Sequence, residues 1–176
     1  MKKILSRCNL EDFPAAYKLM QESFHPAEIR TFERAKEALK HDNLYFMTAK
    51  NISGGLDGIL AAWDLDEFFF LEYLAVQPHT RGSGLGSAML NEFLSSVSKP
   101  AILEVEDLET DIALRRIKLY ERLGFFLSDC RYLQPVMQAE HSDEIPLRIM
   151  TYKEPMDTEV LVRFKNILFE RILPTI

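Results

Sequence analysis

The stretch AVQPHTRGSGLGSAML, residues 75–90, decides the fold. It holds three of the chain's seven glycines, Gly82, Gly84 and Gly86, at alternate positions directly after Arg81. An apolar run ending Leu74-Ala75-Val76 precedes it. The run that follows has helical spacing, with Leu85, Met89, Leu90, Phe93, Leu94 and Val97 on one face. Glycines between a strand and a helix let the backbone turn tightly and let a ligand approach closely. The unbonded N–H groups that open the helix, with its dipole behind them, suit an anion such as a pyrophosphate. Arg81 adds a fixed positive charge at the mouth.

Other phosphate loops compete for these glycines. A P-loop requires GxxxxGK[ST], and no such string occurs. The dinucleotide fingerprint GxGxxG needs a third glycine where this chain has Ser87 or Met89, although an acidic residue does follow about 20 positions on, at Glu104 or Glu106. Five residues also separate Val76 from Gly82, and the flanking hairpin patterns do not suit a doubly wound sheet. A Rossmann-type dinucleotide-binding protein stays as a minor alternative.

Outward from the loop, the periodicities give an order of β-αα-βββ-α-β-α-ββ-α. "KKILSRC" is a short first strand, and Asn9 is placed to cap a helix with Phe13, Ala16, Tyr17, Met20 and Phe24 along one stripe. A second helical pattern puts Ile29, Phe32 and Leu39 on one face. "LYFMTA", "ILAAWDL" and "EFFFLEYLAV" read as strands, the last two joined by an acidic turn. "AILEVE" (101–106) is a strand, followed by a helix from about Asp111 that Gly124 ends. "FFLSDCRYLQ" and "IPLRIMTY" are two late strands. The strand–helix–strand unit at 68–106 implies one parallel pair, and the short turns elsewhere imply antiparallel ones. The expected fold class is α/β (mixed α+β): a central, mostly antiparallel sheet with helices on both faces and an extra C-terminal helix.

The chain has 176 residues, 47% of them hydrophobic and 27% charged, with a formal net charge of −6. One domain of ordinary globular composition fits those figures. The absence of a basic block argues against a nucleic-acid partner, and the absence of an 18-residue apolar window against a membrane one. Cys8 and Cys130 form neither a disulfide framework nor a CxxC knuckle. The histidines at 25, 41, 79 and 141 show no metal-ligand spacing, so no metal is expected. A cytoplasmic protein is the expectation.

The sequence Arg81-Gly82-Ser83-Gly84-Leu85-Gly86, directly after a strand ending Leu74-Ala75-Val76, resembles the acyl-CoA site of the GNAT superfamily, the GCN5-related N-acetyltransferases. "LYERLGF" (119–125) resembles the family's C-terminal helix and the start of its next strand. The resemblance covers residues 4–153, so the expected organisation is a GNAT domain over 1–153 and an amphipathic helical extension over 154–176. That extension would pack on the same domain or on a partner, and it makes a homodimer plausible.

The resemblance implies acetyl-CoA as co-substrate and a primary amine of a small molecule or peptide as acceptor, joined by direct attack in a ternary complex. It implies that backbone amides of Gly82, Ser83, Gly84, Leu85 and Gly86 hold the pyrophosphate, while main-chain groups of Leu74 and Val76 hold the pantetheine arm. In the family the strand carrying "LAV" parts from the next, here "AILEVE", and the arm enters the gap. Tyr120 lies where the family places a general acid. A phenol can hand a proton to a leaving thiolate.

The base stays open among Glu72, on the donor strand, and Glu104 and Glu106, whose spacing of two puts them on one face of the next strand. Paired carboxylates at a dry cleft can take a proton from an ammonium, bind a cationic substrate, or simply face solvent. Arg115, Arg116 or Lys118 is placed to meet the CoA 3′-phosphate. His25, Glu28 and His141 lie in the segments that set acceptor specificity in such folds. A non-catalytic acyl-CoA-binding or sensing module is the alternative function.

Overall fold

The computed structural model describes residues 3–106, 110–134 and 145–172. Seven strands and five α-helices alternate in the order expected. They are β1 (Leu5–Arg7), α1 (Phe13–Ser23), α2 (Phe32–Ala38), β2 (Leu44–Lys50), β3 (Leu56–Asp64), β4 (Phe69–Val76) and α3 (Leu85–Ser96). Then come β5 (Ala101–Glu106), α4 (Asp111–Arg122), β6 (Phe125–Gln134), β7 (Ile145–Tyr152) and α5 (Thr158–Arg171). The strands form one sheet in the order β1-β2-β3-β4-β5-β7-β6. Only β4 and β5 run parallel, because α3 is the crossover between them. Every other neighbouring pair is antiparallel. This topology excludes a doubly wound dinucleotide-binding sheet.

Two apolar layers sandwich the sheet. On one face, α1, α2 and α5 bury Phe13, Leu19, Met20 and Phe164 against Trp63 and Phe70. On the other, Met89, Leu90 and Phe93 of α3 and Ile117 of α4 cover Leu60, Phe69, Leu103 and Met150. Along α5, Leu161, Phe164 and Leu168 are buried, and the Phe164 ring lies 6.2 Å from the Phe68 ring and 5.6 Å from that of Phe70.

Side chains along β4 alternate between the layers until position 72. Phe69 and Leu71 face the α3 side, as do Leu74 and Val76, whereas Phe70, Tyr73 and Ala75 face the α1 side. Alternation fails because β4 bulges: Leu71 lies opposite Ala62 and Tyr73 opposite Ala61, so Glu72 has no counterpart on β3. One extra residue turns two consecutive side chains to the same face and strengthens the local twist.

Two local expectations are corrected. The helix begins at Phe13, and Asn9 closes the turn before it, its Oδ1 accepting from the Asp12 N–H at 2.8 Å. Ile29 lies outside α2, after a one-turn helix at Pro26–Glu28. Thr31 instead caps α2, whose buried residues are Ala35 and Ala38.

Candidate active site

The glycine loop is built by backbone sign. Gly82 and Gly84 have φ of 79° and 85°, left-handed values that cost other residues strain. A Cβ at either would meet nothing within 4 Å, so the turn, not crowding, demands glycine there. Gly86 has ordinary φ, and a Cβ there would sit 3.7 Å from Val76 Cγ1. The Ser83 amide donates to the Thr80 carbonyl at 3.2 Å and that of Leu85 to Ser83 Oγ at 3.3 Å. The amides of Gly82, Gly84 and Gly86 have no acceptor among the described residues. Three unbonded donors at the opening of α3, beside the exposed Arg81, fit a pyrophosphate.

Just past the bulge the sheet opens. β4 and β5 pair only from Phe69↔Ala101 to Leu71↔Leu103, while β5 stays with β7 as far as Glu106. The edge of β4 from Glu72 to Val76 that faces β5 therefore has no strand partner, which is the stretch expected to hold a pantetheine arm. A cleft of about 780 Å³, counted out to its open mouth, follows the gap. Leu60, Leu74, Leu90 and Leu103 make one part of its wall apolar, and Glu28, Glu104, Glu106 and Arg116 make another part polar.

Tyr120 also lines this cleft. Thr110 caps α4 by accepting from the Ala113 N–H at 3.0 Å, and Ala113 and Ile117 anchor the helix in the core. The next turn aims Tyr120 beside Phe125, with ring centroids 5.7 Å apart. Burial pushes the phenol's pKa up, and Arg116 offsets this only partly, so Tyr120 keeps its proton.

The carboxylates separate into distinct environments. Glu72 is held at both oxygens: Oε1 lies 2.5 Å from Arg30 Nη1, and Oε2 accepts from Trp63 Nε1 at 2.7 Å. Both oxygens are engaged, which leaves it a positioning role. Glu104 is the opposite case, because its Oε1 is buried with no hydrogen-bond partner among the described residues. Burial raises its pKa well above the usual carboxylate range, and Glu72 and Glu28 raise it further. Glu106 instead reaches Arg116, 3.5 Å away.

Glu28 also lines the cleft. Its Oε2 accepts from the His25 N–H at 2.9 Å, and burial is the main cause of its raised pKa. His25 spends its Nδ1 on the Ala27 N–H, as a cap. His141 lies outside the described residues.

Arg116 is placed differently from expectation. It contacts Glu106 and donates to the Ser23 carbonyl at 3.4 Å, at the polar part of the cleft wall. Arg30 and Trp63, which fix Glu72, went unnoticed in sequence. The buried Arg30 gives no local pattern that could have marked it.

Comparisons with known proteins agree with this geometry. The acetyltransferase (GNAT) domain family matches residues 41–126, from β2 into the start of β6. A putative acetyltransferase from the GNAT family of Bacteroides thetaiotaomicron superposes with a TM-score of 0.85 at 26% identity, covering 96% of this chain and 97% of that one. The ribosomal-protein-S18-alanine N-acetyltransferase of Escherichia coli shares the fold, with a TM-score of 0.65 at 21% identity over 88% of this chain and 96% of that one. The putative acetyltransferase YjbC of Bacillus subtilis is 36% identical over 73 residues, 40% of this chain and 38% of that protein. Residues 41–126 thus match the GNAT acetyltransferase domain, and the fold of the whole chain is that of a GNAT-family structure.

Proposed function

We propose that this protein transfers an acetyl group from acetyl-CoA to a primary amine by direct attack in a ternary complex. One observation carries the reading. The three unbonded glycine amides stand at the opening of α3, and the cleft where β4 parts from β5 is lined by Leu90 of that helix, by a protonated Tyr120 and by Glu104, whose Oε1 has no partner among the described residues. The loop amides and Arg81 would hold the pyrophosphate. Main-chain groups of Leu74 and Val76 on the unpaired edge of β4 would hold the arm, and a strand N–H near Leu74 would face the thioester oxygen.

The amine enters as an ammonium, and Glu104, whose raised pKa makes it a stronger base than an ordinary carboxylate, takes its proton. The neutral nitrogen then attacks the thioester carbonyl carbon. The C–N bond forms, the C–S bond breaks, and Tyr120 gives its proton to the departing sulfur. Glu72 holds the bulge in place without moving a proton. A cytoplasmic location would supply acetyl-CoA, and among the described residues no helix is long and apolar enough to cross a membrane.

Thiol release from acetyl-CoA across a panel of amines tests the reading. Amine-dependent release supports it. Stabilisation by acetyl-CoA with no release for any amine would leave the non-catalytic binding module instead.

A further inference from the structure

The charges around the acceptor side of the cleft fall into two groups. The inner group, where β4 and β5 begin to part, holds Glu72 and Glu104 against one cation, Arg30. The outer group holds Glu28 and Glu106 against one cation, Arg116. Each group keeps one carboxyl in excess. In the inner group it is Glu104, whose Oε1 is buried without a partner among the described residues. In the outer group it is Glu28: Arg116 lies 3.5 Å from Glu106, and Arg116 and His25 together offset the rise in the Glu28 pKa only in part. The same cleft has an apolar surface: the Phe24 and Tyr73 rings meet edge to face at 5.0 Å, and the Tyr73 hydroxyl ties this pair to the Glu28 backbone by donating to its carbonyl at 2.8 Å.

A monoamine would compensate one group and leave the other with an uncompensated carboxyl in a partly dry cleft, which is unfavourable. A substrate with a carboxylate beside its amine would meet an excess of negative charge at both ends. Among the described residues no group of three or more His, Cys, Asp or Glu is arranged to hold a metal ion.

Resting on the acyl-transfer reading above, we propose that the acceptor is an organic dication: a primary amine carrying a second ammonium group a few methylenes away and no carboxylate. The reacting nitrogen meets Glu104, the methylenes cross Phe24 and Tyr73, and the second ammonium pairs with Glu28.

The test compares 1,4-diaminobutane, n-butylamine and ornithine as acceptors, with calorimetric titration of diaminobutane into the protein in the presence of CoA. Diaminobutane is expected to exceed butylamine in kcat/KM by about tenfold or more, the scale of one compensated charge in a partly buried site, with ornithine well below it. Glu28→Gln keeps the oxygen that caps His25 but removes the charge, and is expected to bring the diaminobutane-to-butylamine ratio close to one. Glu106→Gln leaves Arg116 to pair with Glu28 and lowers the same ratio, which provides a second variant should the first fold poorly.

Equal use of all three amines, or a ratio unmoved by both variants, would overturn the dication while leaving acyl transfer standing. Glu28-dependent binding of diaminobutane without acetylation would keep the dication and overturn the transfer. Neither binding nor turnover would overturn both.

Discussion

Arg30 Nη1 lies 2.5 Å from Glu72 Oε1, and the two side chains are only 3% and 4% exposed. This buried pair spans 42 residues of sequence and fixes the bulged position of β4 at the point where the sheet opens. Removing one partner strands the other as an uncompensated buried charge. Arg30→Met is therefore expected to lower unfolding free energy by about 3–5 kcal/mol. The double variant Arg30→Met/Glu72→Gln keeps an acceptor for Trp63 and removes the stranded charge, so it should be more stable than the single one. Urea unfolding of both variants decides the point, and a double variant no better than the single would refute it.

Glu104 gives stability a pH dependence of unusual sign. Its pKa is raised on folding, so the folded chain binds the proton more tightly than the unfolded one. Below the ordinary carboxylate pKa both states are protonated and the group contributes nothing. As pH rises from there toward the elevated folded value, the unfolded state ionises first and stability falls. Glu104→Gln removes this dependence. The variant should match wild type near pH 3 and become the more stable of the two at neutral pH, while losing amine-dependent turnover. Parallel stability profiles for the two proteins across that range would show that Glu104 does not resist ionisation.

Burial pushes the Tyr120 pKa up, and the residue lines the same cleft as the carboxylates. Loss of its hydroxyl should slow thiolate protonation without touching the loop that holds the donor. Tyr120→Phe is expected to lower kcat by about 10²-fold, the low end for a general acid, with acetyl-CoA affinity nearly unchanged. Stopped-flow turnover and calorimetric binding separate the two effects. Unchanged kcat would make the residue a cleft wall only.

The order of elements, the single parallel pair and the glycine turn were legible because each rests on local signals: periods of two and 3.6, and glycine between a strand and a helix. The bulge at Glu72 was not legible. It is a one-residue offset between β3 and β4, a property of pairing that leaves β4's own sequence looking like any apolar strand. For the same reason the spacing of Glu72, Glu104 and Glu106 nominated carboxylates without ranking them. What ranks them is tertiary: Arg30 and Trp63 occupy Glu72, Arg116 reaches Glu106, and nothing among the described residues pairs with Glu104 Oε1. Arg115, Arg116 and Lys118 stood as equal candidates for a phosphate, because one helical pattern carries all three and shows none of that helix's neighbours.

The loop glycines should separate into two kinds. Gly84 needs its left-handed φ to open α3, so Gly84→Ala is expected to cost about 1–2 kcal/mol of stability and to weaken acetyl-CoA binding. Gly86 has ordinary φ and room for a methyl group, so Gly86→Ala should fold with wild-type stability. A methyl there would still stand between the unbonded Gly86 amide and a phosphate, so acetyl-CoA affinity should fall about tenfold. Thermal unfolding paired with acetyl-CoA titration reads both. A Gly86→Ala protein that binds acetyl-CoA normally would remove its amide from the pyrophosphate seat.

Phe164 decides whether α5 belongs to the fold or merely follows it. The side chain is fully buried between Phe68 and Phe70, within the layer that also holds Trp63. Those two partners flank the start of β4, so α5 covers the sheet close to where β4 pairs with β5. Truncation to alanine removes an aromatic ring from a packed interior and leaves a cavity there. Phe164→Ala should cost about 3–5 kcal/mol, whereas Val162→Ala, on the exposed side of the same helix, should change stability by less than about 0.5 kcal/mol. Chemical denaturation of the two variants tests this directly. Equal, small losses would mean that the helix docks too weakly to count as part of the domain.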